Sequence, residues 1–219
     1  MQKRKIIFGS YNTAEHGWTL TGWVLSPAEQ KTKYKEKPNG DGSWDLSTAQ
    51  TDGIPRYQTR ALTVTLELSE GTRLEREDVI RHMVNLLDGM VEQIKLPDDD
   101  FHYVVGRLHV AREYNDPAHA AVTVTAVCEP WKYATTETVV ALTATASKQT
   151  VILRNEGRRA VVPTIQITGS VLLEYGTKSI AMSAGTRTWP SLLLTPGRHV
   201  VTYSGSGSII FTYREAVLE

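Results

Sequence analysis

By residue type, the groups in this 219-residue chain best suited to chemistry are six histidines, one cysteine and a run of three aspartates. Their spacing argues against using them for it. His16, His82, His102, His109, His119 and His199 form no His-Glu-x-x-His pair or other compact ligand set. His102 and His109 meet only through tertiary folding, and a lone histidine in such a strand reads as packed or solvated. Asp98, Asp99 and Asp100 follow Pro97 without the alternate ligand spacing and closing glutamate of a calcium loop, so they read as a solvated turn. With Cys128 as the only cysteine, neither an internal disulfide nor a multi-cysteine zinc site can be built, and its strand context makes it a small packed hydrophobe. No serine sits in a Gly-x-Ser-x-Gly elbow. Gly205, Ser206 and Gly207 have the composition of a phosphate cradle but lack the lysine and following helix, which leaves a hairpin turn. The sequence thus offers no catalytic residue, no metal site and no cofactor.

The elements around these residues describe a β-rich chain. Its length suits one large domain or two smaller ones, and two is the expectation here. Hydrophobic residues make up 41%, enough for a real core. Lysine plus arginine and aspartate plus glutamate are 24 each, so net charge gives no reason to bind nucleic acid or an anionic membrane. Charge is uneven, with Lys3, Arg4, Lys5 and then Lys31, Lys33, Lys35 and Lys37 making the N-terminal portion basic, which reads as a solvated face. The single cysteine fits a reducing compartment. The apolar run Ile6, Ile7, Phe8 is too short for a secretory signal, and no stretch reaches the ~18 apolar residues of a membrane span. A soluble, unsecreted protein is expected.

Period-two alternation is clearest in residues 62–68, where Leu62, Val64, Leu66 and Leu68 alternate with Thr63, Thr65 and Glu67. That pattern is a strand with one buried and one wet face. Residues 5–8 and 18–25 read as an opening hairpin, with further strands at 103–110 and 121–128. Thr72 and Glu75 have capping-box spacing, Ile80, Met83, Val84, Leu87 and Val91 form one apolar stripe, and Gly89 sits where a left-handed C-terminal cap would end it, predicting the one helix. After Glu129, Pro130, Trp131, Lys132 and Tyr133 the chain becomes short strands and turns. The domains are therefore expected at 1–137 and 138–219, the second an all-β sandwich or jelly roll with turns at Gly176, Gly185, Gly197 and 205–207. Trp189, Tyr203 and Tyr213 are candidates for an aromatic sugar platform there, with core packing as the competing explanation.

The least ordinary stretch precedes the alternating strand. Trp44, Asp45, Leu46, Tyr57 and Arg60 are large anchors spread through a segment that would otherwise be polar loop. Residues 26–43 before it are too polar for a core strand and long for a free loop.

Taken in order, several pieces resemble the distal tail protein family of long-tailed, non-contractile phages, often described simply as phage tail family proteins. These pieces are Trp44-Asp45-Leu46 with the strand entry from Tyr57, then Asn85-Leu86-Leu87-Asp88-Gly89 and residues 103–107. Cys128-Glu129-Pro130-Trp131-Lys132-Tyr133 follows. Asn155-Glu156-Gly157, Val162-Pro163-Thr164-Ile165, Pro196-Gly197 and the segment from Gly205 to Tyr213 extend the likeness over nearly the whole chain.

The resemblance implies a mainly β, two-domain structural protein: an N-terminal β domain with one helix that forms a homohexameric ring, then a peripheral galectin-like β-sandwich. It implies a place in the virion at the tail tip after assembly in the host cytoplasm. The implied partners are the major tail tube protein, the tail-associated hub or lysin protein and the tape measure protein. The ring would surround the path of DNA without sequence-specific binding, and charge neutrality suits such a conduit. Trp44, Asp45, Leu46, Tyr57 and Arg60 are then expected to clasp the neighbouring protomer. The alternative is a carbohydrate-binding adhesion module recognising host glycans. No stretch beyond Val139 is long enough for an inserted sugar-binding module, and no enzyme activity is expected.

Overall fold

The structure, a computed structural model, describes residues 4–51 and 53–219; Lys3 of the basic N-terminal run lies outside them. Two compact units divide the chain, Met1–Trp131 and Lys132–Glu219. The sequence-based division at 137/138 puts residues 132–137 with the first domain, whereas the compact units put them with the second.

The first unit contains β1 (Ile7–Phe8), β2 (Tyr11–Asn12), a 3-10 turn at Thr13–His16, β3 (Thr19–Leu25), β4 (Tyr34–Glu36), β5 (Ser43–Asp45) and β6 (Arg60–Leu68). Helix α1 (Arg73–Leu87), β7 (Val91–Lys95), β8 (His102–Asn115) and β9 (Ala120–Cys128) complete it. Its sheet runs β2-β1-β7-β8-β9-β6-β3. The opening hairpin is therefore corrected: β1 turns back onto the short β2, while β3 lies at the far edge against β6. The cause is the tight turn at Gly9, whose φ of 59° suits glycine and closes the hairpin before the chain reaches Trp18.

Period-two alternation is realised fully in β6, where Leu62, Val64, Leu66 and Leu68 are buried and Ala61 and Thr63 are exposed. Each residue of β6 has a partner on β9, from Arg60 opposite Cys128 to Leu68 opposite Ala120. Helix α1 covers the buried face with Ile80, Met83 and Leu87. It starts at a complete capping box: the Glu75 amide donates to Thr72 Oγ1 at 3.3 Å, and the Thr72 amide donates to Glu75 Oε2 at 2.7 Å. It ends at Asp88, whose carboxylate accepts the Val110 amide at 2.9 Å and contacts His109 Nδ1 at 2.8 Å. Gly89 then turns the chain with φ of 77°, so Val91 belongs to β7, a strand the helical stripe had absorbed. Arg76 is buried on the same helix and donates to the carbonyls of Gly71, Asp116 and Pro117 at 2.6, 2.7 and 3.1 Å, tying the β8–β9 turn to the helix start.

The second unit holds β10 (Lys132–Ala134), β11 (Thr138–Ala144), β12 (Gln149–Asn155), β13 (Thr164–Tyr175), β14 (Lys178–Thr188), β15 (Gly197–Tyr213) and β16 (Ala216–Val217). Strand β15 carries β12 along its first half and β11 along its second, with β13 on its other side and β14 beyond. In place of the short strands expected in this half, β13 and β15 each run long, over 12 and 17 residues.

Residues 205–207 are accordingly no hairpin turn. They lie inside β15, where it crosses the irregular point of β13 between Ile167 and Ser170. A side chain at Gly169 would strike the Ser206 carbonyl, and one at Gly205 the Ser170 carbonyl. Glycine there lets two long strands bend at close approach while keeping their pairing on both sides. Gly185 is likewise inside β14. Ile165, Ile167, Ile209 and Phe211 on one side of the bend and Val171, Leu173, Val201 and Tyr203 on the other share one core, so the sheet closes over itself as a sandwich. Asn155 fixes the following turn by donating to the carbonyls of Arg159 and Leu194, both at 2.8 Å.

Candidate assembly interface

Residues 26–59 leave the sheet between β3 and β6 and contain no buried residue among those described. They are nonetheless ordered as a long two-stranded arm. The Ser26 amide donates to the Ala61 carbonyl at 2.8 Å, Gln58 to Glu29 and Lys31 to Arg56 at the same distance, and Leu46 to Lys33 at 2.8 Å. Beyond these rungs β4 pairs with β5, and Asn39 and Gly42, with φ of 56° and 75°, shape the tip. Asp45 accepts the Ser47 amide at 2.9 Å, and hydrogen bonds from Ser47 hold its carboxyl below the usual carboxylate range.

The five anchors separate into two groups. Trp44 stands on β5 opposite Lys35, 47% exposed, and Asp45 stands opposite the exposed Tyr34. By strand alternation the two aromatics lie on opposite faces of the ribbon, so each face presents one ring. Leu46 is half-buried beside them. Tyr57 and Arg60 instead belong to the root. Tyr57 meets Trp131 edge-on, with ring centroids 5.2 Å apart. Arg60 is 3% exposed, and its Nε donates to the Ser26 carbonyl at 2.5 Å. It ties the arm to its own sheet.

Arg60 also explains the Cys128 motif. The two residues are in register across β6 and β9, and burial pushes the Cys128 thiol up to about 11, the nearby Arg60 charge opposing this more weakly. Gly106 faces the sulfur so closely that a β-carbon would lie 2.6 Å from Sγ. The thiol is a packing group. Tyr34 was missed from sequence, although Lys31, Lys33, Lys35 and Lys37 alternate with Thr32, Tyr34 and Glu36 in the period of a strand. With no apolar face, that period carried no burial signal.

The proposed sugar platform is not presented. Trp189, Tyr203 and Tyr213 are 7%, 6% and 3% exposed in the second core, and the Tyr213 hydroxyl donates to the Arg154 carbonyl at 2.5 Å. Their rings fill the sandwich. Among the described residues, no group of three or more His, Cys, Asp or Glu is placed to hold a metal ion, and no helix is long and apolar enough to cross a membrane.

No family model and no curated protein sequence matches the chain. A solved structure does: the Dit (gp 19.1) protein of SPP1 superimposes with a TM-score of 0.71 over 97% of this chain and 99% of that one, at 15% identity. This chain has the Dit fold. The SPP1 protein is described as a paradigm of the hub adsorption apparatus in phages infecting Gram-positive hosts. At 15% identity the likeness concerns the fold, and the covered span takes in both units of the Dit-like chain.

Proposed function

We propose that this protein is a structural subunit of a phage tail hub, working by assembly and not by catalysis. The observation that carries the reading is the arm: within residues 26–59, with no buried residue among those described, the segments 26–36, 43–46 and 56–58 pair as a hydrogen-bonded ribbon with an exposed aromatic on each face. A two-stranded ribbon alone is marginally stable in water, so such an arm calls for a covering surface. The covering surface in this reading is the next copy of the chain, clasped through Trp44, Asp45, Leu46 and Tyr34, with Tyr57 and Arg60 fixing the root. Obligate interfaces of this kind bury roughly 2,000–5,000 Å² and use aromatic anchors.

The likeness to a Dit hub protein supports a tail-hub role, and in this reading six copies close a ring at the tail tip of the virion after assembly in the host cytoplasm. That ring joins the tail tube protein to the tail-associated hub or lysin protein, beside the tape measure protein, and surrounds the DNA path. The second unit then takes the place of the peripheral galectin-like sandwich. Negative-stain microscopy of the purified chain, read with light scattering over a concentration series, tests this directly. Six-fold rings are expected. A monomer at every concentration would overturn the reading.

A further inference from the structure

The second unit carries a cleft of about 540 Å³ at the bend of its sheet, with Ser170, Leu172, Ser183, Arg187, Ser204 and Gly205 among its lining. The strand register explains why the serines converge. Ser183 stands opposite Ser170 and Ala181 opposite Leu172 across β14 and β13, while Leu172 stands opposite Ser204 and Val171 opposite Gly205 across β13 and β15. Three strands thus each bring a serine to one depression at the point where the glycines let the sheet fold.

Arg187 is the one charged residue in the lining. Among the described residues, neither its guanidinium nor the hydroxyls of Ser170, Ser183 and Ser204 have a hydrogen-bond or ion-pair partner. The neighbouring acidic group, Glu174 two residues along β13 from Leu172, is already held by Lys148 Nζ at 2.9 Å to each carboxylate oxygen. Ser170, Ser183 and Arg187 are exposed, so the open depression presents one positive charge and three hydroxyls to solvent with no protein partner on them.

A planar guanidinium suits the paired oxygens of a phosphate or carboxylate, and serine hydroxyls both donate to and accept from a polyol. No aromatic residue lines the cleft, so recognition there does not rest on ring stacking. We propose that this cleft binds a polyhydroxylated ligand carrying an oxyanion, with Arg187 on the anion and Ser170, Ser183 and Ser204 on the hydroxyls. The site lies wholly in the second unit and stands or falls independently of ring assembly.

Calorimetric titration of the full chain with glucose 6-phosphate, glucuronate and glucose tests it. At least one of the two anionic sugars is expected to bind about tenfold or more tighter than glucose, and the stronger of them identifies phosphate or carboxylate as the anion. Arg187→Ala should remove that preference with an unchanged melting temperature, and raising salt should weaken it. If Arg187→Ala lowers the melting temperature, the double variant Ser183→Ala, Ser204→Ala reads the same site and should weaken binding severalfold. The proposal is overturned by equal affinity for glucose, or by no binding of either anionic sugar at about 10 mM, a few kcal/mol of affinity. Wild-type affinity in Arg187→Ala overturns it as well, as does wild-type affinity in the double variant.

Discussion

Strand β6 and the arm that precedes it are consecutive pieces of one chain, and they are ordered in opposite ways. In β6 every second side chain enters a core closed by α1 and β9. The arm has a shorter, interrupted ladder of backbone hydrogen bonds and two exposed rings, with no core beneath them. Order in the first is explained within the protomer. In the second it is not, which is why the arm, and not the sheet, points outward to assembly.

The largest effect separating the two regions is expected in β6. Leu66→Ala should cost about 3 kcal/mol of stability in denaturant unfolding, because it leaves a cavity in a fully buried layer. A cost below about 1 kcal/mol would mean that the sheet is not the rigid base of the arm. At the junction, Arg60→Met should cost about 2 kcal/mol, leaving the Ser26 carbonyl without its donor. The same variant should speed proteolytic cleavage within residues 26–59, and an unchanged cleavage rate would sever the arm's order from its root.

A smaller effect lies at the helix end. Hydrogen bonds from the Val110 amide and His109 hold the Asp88 carboxyl below its ordinary value. A depressed folded pKa adds stability that is fully present above the unfolded value of about 3.9 and is lost as pH falls through the lower folded value. Asp88→Asn should therefore flatten the acid side of the stability curve below about pH 4 while leaving the arm's protease sensitivity unchanged. An acid limb identical to wild type would remove Asp88 from the account.

Much of the first unit was legible because its signals are local. Thr72 and Glu75 announce a helix start through their own side chains, and the alternation of 62–68 needs only a burial period. Partner choice was not legible: residues 18–25 look like the second arm of a hairpin, but their partner, β6, lies beyond the whole arm. The second unit misled for a different reason. Glycines 205 and 207 carry the composition of a turn, and only the crossing of β13 reveals that they permit close approach inside a strand. For the candidate interface, sequence located Trp44 as an anomaly but could not distinguish an anchor facing outward from one facing home, as Arg60 does.

The smallest change in protomer stability is expected at the residue with the greatest predicted effect on assembly. Sedimentation velocity on wild type and Trp44→Ala, with thermal unfolding of both, tests this pairing most directly. The account predicts a closed oligomer for wild type and folded monomers for Trp44→Ala, with stability changed by less than about 0.5 kcal/mol. Assembly of Trp44→Ala at wild-type size and affinity would contradict it.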